Sequence, residues 1–185
     1  RIEAGTFIIA GALAGRRLKI SGIETKILKK EISVLKRMGI KLKINKNDII
    51  VLTSKNIKPT SVNTEPYPGF PTDLQAQIMV LMTRANGVSK IRENIFEKRF
   101  MHVPELNRMG AKIKIFGDTS LIYGPQQLNG AEVMATDLRA SVSLVLAGLA
   151  AEEKTVINRV YHLDRGYEKL GTKLRKCRAN IFRIS

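Results

Sequence analysis

Residues 35–44 read LKRMGIKLKI, and residues 106–115 read LNRMGAKIKI. Each stretch joins the end of an amphipathic helix to an alternating strand. Glycine stands at the junction, where a left-handed backbone closes a helix without steric cost. A third copy, Leu174-Arg175-Lys176-Cys177-Arg178-Ala179-Asn180-Ile181, carries Arg178 in place of Gly39 and Gly110. Its cap is therefore either strained or built differently. A second segment recurs as Ile2-Glu3-Ala4, Leu74-Gln75-Ala76 and Leu138-Arg139-Ala140. Each copy opens an apolar helix, and the last two follow Thr-Asp, at Thr72-Asp73 and Thr136-Asp137. Threonine caps a helix, and aspartate suits its positive end. Recurrence of this kind marks one structural unit used repeatedly.

The units span about 1–62, 63–128 and 129–185. The first predicts a strand over 18–21, a helix over 25–38 and a hairpin over 40–52 turning near Asn45–Asn47. The second predicts a strand over 88–95, a helix over 103–109 and a hairpin over 111–123 turning at Gly117-Asp118. The third predicts a strand over 155–160, a helix over 167–176 and a closing strand over 179–184. The opening helices, over 2–14, 74–84 and 138–151, are apolar nearly all round and should be buried. Three βαβαββ-like units with helices inside and sheets outside make one α+β domain of pseudo-threefold symmetry.

The chain has 185 residues, 44% of them hydrophobic, enough for a substantial core. No apolar run reaches the roughly 20 residues of a membrane span, and no membrane partner is expected. The chain opens on Arg1 already in helix-forming sequence, which reads as a fragment or an excised domain. The single cysteine, Cys177, suits a reducing compartment and reads as a small buried thiol. The net charge of +16 attracts polyanions, either nucleic acid or a phosphorylated substrate. The basic residues are dispersed and lack interleaved aromatics, which disfavours nucleic acid.

Three prolines, Pro66, Pro68 and Pro71, lead into Thr72-Asp73 and an apolar helix. Proline stiffens the chain, so a rigid extended arm delivers the Asp73 carboxylate to a helix start. A general base needs a fixed position of that kind, and a plain helix-end acid is the other reading. Arg99 and His102 lie between a strand and the helix that Pro104 helps to start. Arg99 reads as an anion fork, or as a surface partner of Glu97 or Glu105. His102 reads as a capping or packing residue. Asp137 and Arg139 open another helix, where free N–H groups favour anions, or they form a surface pair. Arg165, beside Gly166, reads as an anion clamp, or as a loop partner of Asp164 or Glu168. His102, His162 and Cys177 have no ligand spacing, so no metal is expected, and no cofactor. One held carboxylate with arginines at equivalent ends of repeated units points to group transfer on a small phosphorylated anion.

Four stretches carry a resemblance: TEPYPGFPTDLQAQ (64–77), IFEKRFMHVPELNRMGA (95–111), GAEVMATDLRASVSLVLAGLAA (130–151) and YHLDRGYE (161–168). With the opening RIEAGTF, they resemble the UDP-N-acetylglucosamine enolpyruvyl transferase family over nearly the whole chain. The resemblance implies a cytoplasmic enzyme of peptidoglycan synthesis with two domains, each an inside-out α/β barrel of three units. This chain would be the C-terminal domain. The other domain would be its partner, and that domain together with a short N-terminal stretch that completes this one would carry the family's reactive cysteine and an early lysine; Cys177 does not match that cysteine. The implied reaction adds the 3-hydroxyl of UDP-N-acetylglucosamine to C2 of phosphoenolpyruvate and then eliminates phosphate. By the same resemblance Asp73 is the base, and Arg139 and Arg165 hold phosphoenolpyruvate or departing phosphate. Asp137 sits beside the reacting carbon, Arg99 organises the cleft, and Ile95 contacts the sugar nucleotide through its backbone. Gly15-Arg16-Arg17 and Arg178 depart from the family pattern. The sister transferase acting on shikimate phosphate is an alternative, as is an RNA-binding or RNA-end-processing module on a related fold.

Overall fold

The computed structural model describes residues 1–14 and 17–184, so the departure at Gly15-Arg16 lies outside the described residues. Unit one comprises α1 (Ile2–Ala14), β1 (Leu18–Ser21), α2 (Lys29–Arg37), β2 (Leu42–Ile44) and β3 (Asp48–Val51). Unit two comprises β4 (Ser61–Asn63), α3 (Gln75–Met82), β5 (Val88–Arg92), α4 (Val103–Arg108), β6 (Lys112–Phe116) and β7 (Thr119–Tyr123). Unit three comprises β8 (Glu132–Met134), α5 (Leu138–Ala150), β9 (Val156–Asn158) and α6 (Leu170–Lys176). Short 3₁₀ turns precede α2 and α3 and carry Val160–Arg165.

The apolar helices α1, α3 and α5 pack on one another at the centre. Every residue of α3 is buried, which is why its sequence has no polar stripe. The sheets lie outside. In unit two the order is β4-β5-β7-β6, with β4 parallel to β5 and the rest antiparallel, the full βαβαββ pattern. Unit one has β1-β3-β2, which matches the last three strands of that sheet. Unit three has only the parallel pair β8-β9, which matches the first two. The layering is therefore inside-out as expected, but the three sheets stay separate and form no closed barrel among the described residues.

The closing strand expected over 179–184 does not form. A strand needs a ladder partner for its backbone groups, and β9 offers none to this segment; Phe182 and Ile184 stand 73% exposed. The junctions repeat atom for atom. Gly39 N–H donates to Lys36 O at 2.9 Å and Ile40 N–H to Leu35 O at 2.9 Å. Gly110 and Ala111 bond Asn107 O and Leu106 O at 3.0 Å each, and Arg178 and Ala179 bond Arg175 O at 2.8 Å and Leu174 O at 3.0 Å. The residues in the left-handed position have φ of +82°, +94° and +67°. Arg178 thus adopts the same cap as the glycines, and its Cβ takes the strain. Cys177, expected to be buried, is exposed, because α6 ends at Lys176 and the chain turns away there.

Candidate active site

The proline segment is rigid by a different route from the one expected. It folds back on itself: Gly69 N–H donates to Pro66 O at 2.7 Å and Glu65 N–H to Phe70 O at 2.9 Å, and Phe70 is buried. It is a closed turn, not an extended arm. Arg1 clamps it from unit one. Its Nη2 donates to Gly69 O at 2.5 Å, its Nε to the buried Glu31 at 2.6 Å, and its guanidinium lies 4.8 Å from the Tyr67 ring centre. The turn ends at Pro71, whose carbonyl accepts from Leu74 N–H at 3.0 Å and starts the helix.

The Thr-Asp pairs at the two helix starts behave differently. Asp137 caps α5, accepting from Ala140 N–H at 2.7 Å. Threonine caps neither helix. Asp73 has no capping bond; its Oδ1 accepts from Arg139 Nε at 2.7 Å and also from Arg139 Nη2. Arg99 Nη1 stands 3.9 Å from the same oxygen. So one carboxylate oxygen faces two guanidinium groups, one from unit two and one from unit three. The side chains are 43% exposed for Asp73, 30% for Arg139 and 16% for Arg99. Burial, and then the Arg139 charge, hold Arg99 below the usual arginine pKa, while Asp73, Glu93 and Asp137 act against this. Arg99 Nη1 is buried and makes no hydrogen bond among the described residues, and the guanidinium stacks 4.0 Å from the Phe96 ring centre. An underused, partly desolvated cation is a strong receptor for an anion.

A cleft of about 210 Å³ opens beside this group, lined by Asp73, Arg139, Leu138, Gly166 and Tyr167 and, from α1, by Ile2 and Glu3. All three units contribute to it. Beneath it runs a buried polar chain. Tyr167 Oη lies 2.9 Å from Thr6 Oγ1, and Gln77 Nε2 donates to Tyr167 Oη at 3.2 Å and to the Asp73 carbonyl at 2.9 Å. Burial raises the Tyr167 pKa, so the phenol stays protonated as a bridging donor. The chain ties the Asp73 backbone to α1 and to unit three.

The structure brings Asp73, Arg99 and Arg139 into one cluster. Ile95 is held in the neighbouring loop, its N–H donating to Glu93 Oε1 at 3.0 Å. Arg165 is exposed, at the end of the 3₁₀ turn just before cleft-lining Gly166. It makes no ion pair among the described residues: Asp164 pairs instead with Arg183, at 2.6 and 3.2 Å. His102 is buried 3.2 Å from Met79 Sδ, and burial pushes its pKa down to about 4, which is a packing role. No group of His, Cys, Asp and Glu among the described residues could hold a metal ion.

Sequence reasoning assigned no role to Glu93, Gln77, Tyr167 or Arg1. Glu93 carried a usable signal. Alternation along β5 turns Ser89 and Ile91 inward, and two residues further on it turns Glu93 inward as well. An acid on the core side of a strand end needs donors.

The central helices and outer sheets of this chain have counterparts among known carboxyvinyltransferases. A family model described as EPSP synthase (3-phosphoshikimate 1-carboxyvinyltransferase) matches residues 1–174, and the chain belongs to that family. It is 60% identical over 185 residues to a UDP-N-acetylglucosamine 1-carboxyvinyltransferase of Pelagibacter ubique (strain HTCC1062), covering 100% of this chain and 44% of that protein. It is 55% identical to the protein of that name from Rhodopseudomonas palustris (strain TIE-1), covering 100% of this chain and 43% of the relative. The chain thus spans less than half the length of these curated relatives. Among solved structures it superposes on the enolpyruvyl transferase NikO from Streptomyces tendae with a TM-score of 0.90 and 32% identity, over 97% of this chain and 43% of that one. It also matches EPSP synthase from Acinetobacter baumannii in fold, with a TM-score of 0.77 at 17% identity over 100% of this chain and 46% of the other.

Proposed function

We propose that this chain carries one half of the active site of an enolpyruvyl transferase. The complete enzyme moves the enolpyruvyl group of phosphoenolpyruvate to the 3-hydroxyl of UDP-N-acetylglucosamine and releases phosphate, the first committed step of peptidoglycan synthesis. The carrying observation is the Asp73 carboxylate held between Arg139 and Arg99 at the rim of the cleft. The names of the relatives at 55 and 60% identity support the sugar nucleotide over shikimate phosphate as acceptor. Nothing in the site favours RNA.

Asp73 takes the hydroxyl proton as the sugar oxygen bonds to C2 of phosphoenolpyruvate. C3 takes up a proton from solvent as the C2=C3 pair is used. A C3 proton then leaves to solvent, C2=C3 re-forms, the C2–O bond to the phosphoryl oxygen breaks, and inorganic phosphate leaves. Arg139, now paired with Asp73, is the nearest fork for the incoming anion. When an anion draws it away, Oδ1 is uncovered for the proton. Arg99 keeps its free N–H on the same side and stabilises developing negative charge. Arg165, which no carboxylate among the described residues holds, completes the anion grip from beyond Gly166. Asp137 stands beside the reacting carbon with Oδ1 committed to the α5 cap, which also fixes the start of the helix bearing Arg139. Ile95 meets the sugar nucleotide through its carbonyl, because its N–H is already used. The cleft opens on solvent here, and the partner is the other domain of the same polypeptide, closing over it to exclude water. We place the enzyme in the cytoplasm, where the exposed Cys177 thiol stays reduced; no helix among the described residues is long and apolar enough to cross a membrane.

The test is phosphate release by the complete polypeptide given phosphoenolpyruvate with UDP-N-acetylglucosamine or with shikimate 3-phosphate. Release with the sugar nucleotide alone is expected. Release with shikimate phosphate alone would assign the sister reaction instead.

A further inference from the structure

Glu93 sits at the end of β5 with 4% of its surface exposed, and it accepts four hydrogen bonds. Oε1 takes Thr64 Oγ1 at 2.8 Å, Ile95 N–H at 3.0 Å and Phe96 N–H at 3.2 Å. Oε2 takes Thr72 Oγ1 at 2.9 Å. These four donors come from three places. Thr64 begins the proline turn. Thr72 directly follows its last residue, Pro71, and is bonded directly to Asp73. Ile95 and Phe96 begin the loop that carries Arg99. The same knot is reinforced from outside: Asn94 N–H donates to Thr64 Oγ1 at 2.9 Å, and Glu93 N–H donates to Asp118 O at 2.8 Å. The four bonds to the Glu93 carboxylate lie outside the ladder of β5 with β4 and β7, whose named strand ends at Arg92.

A buried carboxylate is costly unless donors surround it, so the arrangement is either wholly made or lost. Once made, it ties two segments together at a fixed distance. One presents Asp73, and the other presents Arg99, whose Nη1 lies 3.9 Å from the Asp73 carboxylate. We propose that Glu93 is a positioning residue for catalysis: it sets Asp73 against Arg99 and the Ile95 loop, and touches no substrate itself. The inference rests on the reading of Asp73 as the base.

Geometry separates its two oxygens into two functions. Thr72→Val cuts only the link to the Asp73 turn. It should lower kcat about tenfold or more, the scale of a sub-ångström to ångström misplacement of a reacting group, with both KM values within about threefold of wild type. Glu93→Ala cuts every link and should also raise KM for UDP-N-acetylglucosamine, because the Ile95 loop is released. Glu93→Gln is the rescue. Its amide oxygen still accepts the three Oε1 donors, and its NH₂ donates to the Thr72 hydroxyl, which can reverse. It should therefore keep kcat within about threefold.

The experiment measures phosphate release and thermal unfolding of the complete polypeptide with these three substitutions and with Ile49→Ala. Ile49 is buried in β3 of unit one, away from the cleft, and its truncation matches the stability loss without touching the knot. Loss of kcat in Thr72→Val, recovery in Glu93→Gln and a normal kcat in Ile49→Ala establish the role. Wild-type kcat in Thr72→Val overturns it, as does a Glu93→Gln enzyme as slow as Glu93→Ala, which would make the charge and not the position the cause. Asp73→Asn in the same assay keeps the two readings apart. If it is inactive while Thr72→Val is normal, only the positioning inference fails. If Asp73→Asn is active, the base assignment itself falls.

Discussion

Asp73→Asn is the sharpest perturbation of this site, because it changes charge with little change of shape. The asparagine carbonyl still accepts from Arg139 Nε, so the fork keeps a partner at the 2.7 Å position. The stability cost follows from exposure. Asp73 is 43% and Arg139 30% exposed, and an ion pair so open to water is worth about 0–1 kcal/mol. A domain of this size loses about 2–4 °C of Tm per kcal/mol, so the shift should be no more than a few degrees. The kinetic cost is separate. A positioned general base contributes about 10²–10⁴ in rate, or roughly 3–5 kcal/mol of barrier. The rate loss should therefore exceed the stability loss several-fold in energy. Steady-state phosphate release by the complete polypeptide at saturating substrates, run beside a thermal melt, reads both. A variant with kcat within about tenfold of wild type refutes the assignment of Asp73 as base. So does a Tm fall large enough to account for the lost rate by unfolding.

Three further outcomes concern stability. Arg178→Gly should raise Tm by about 1–4 °C, since relief of left-handed strain of roughly 1–2 kcal/mol outweighs the added freedom of glycine in the unfolded chain. Gly39→Ala should lower it by a similar amount or more, because its Cβ would also meet Asn56 O at 3.0 Å; thermal melts check both signs. His102 supplies a pH dependence. Its pKa is about 4 in the fold and 6.5 unperturbed, so the unfolded chain binds the proton first and stability falls as pH drops. The contribution is fully present above about pH 6.5 and is lost as pH falls toward 4, amounting to about 2 kcal/mol at pH 5. Urea unfolding at pH 7 and pH 5 should show this loss in the wild type and not in His102→Met.

The repeated unit was readable because its signals are local. Gly39 and Gly110 announce their caps whatever lies around them, and the hairpin turning at Gly117-Asp118 falls where alternation places it. Arg178 stands out as an anomaly for the same reason, and it does carry the left-handed strain. The three-residue strands β4 and β8 were not found, because so short a run carries no periodicity; only their parallel partners β5 and β9 make them strands. The closing strand over 179–184 fails conversely: its pattern is present and its partner is not. At the site, Asp73, Arg99 and Arg139 stood at element ends in the sequence, but nothing local shows that two arginines from different units share one oxygen.

Sequence alone settled the unit, its threefold recurrence, its buried helices and the small set of charged residues at helix starts. Those depend on backbone preference and on the period of apolar residues, which neighbouring residues specify. Tertiary structure decided which of two equivalent aspartates became a helix cap and which met the arginines. Asp137 found the free N–H of Ala140, whereas Asp73 was turned toward Arg139 by a closed proline turn and by Glu93, 20 residues further along the chain. That choice depends on distances between segments remote in sequence, which are set only when the units pack together.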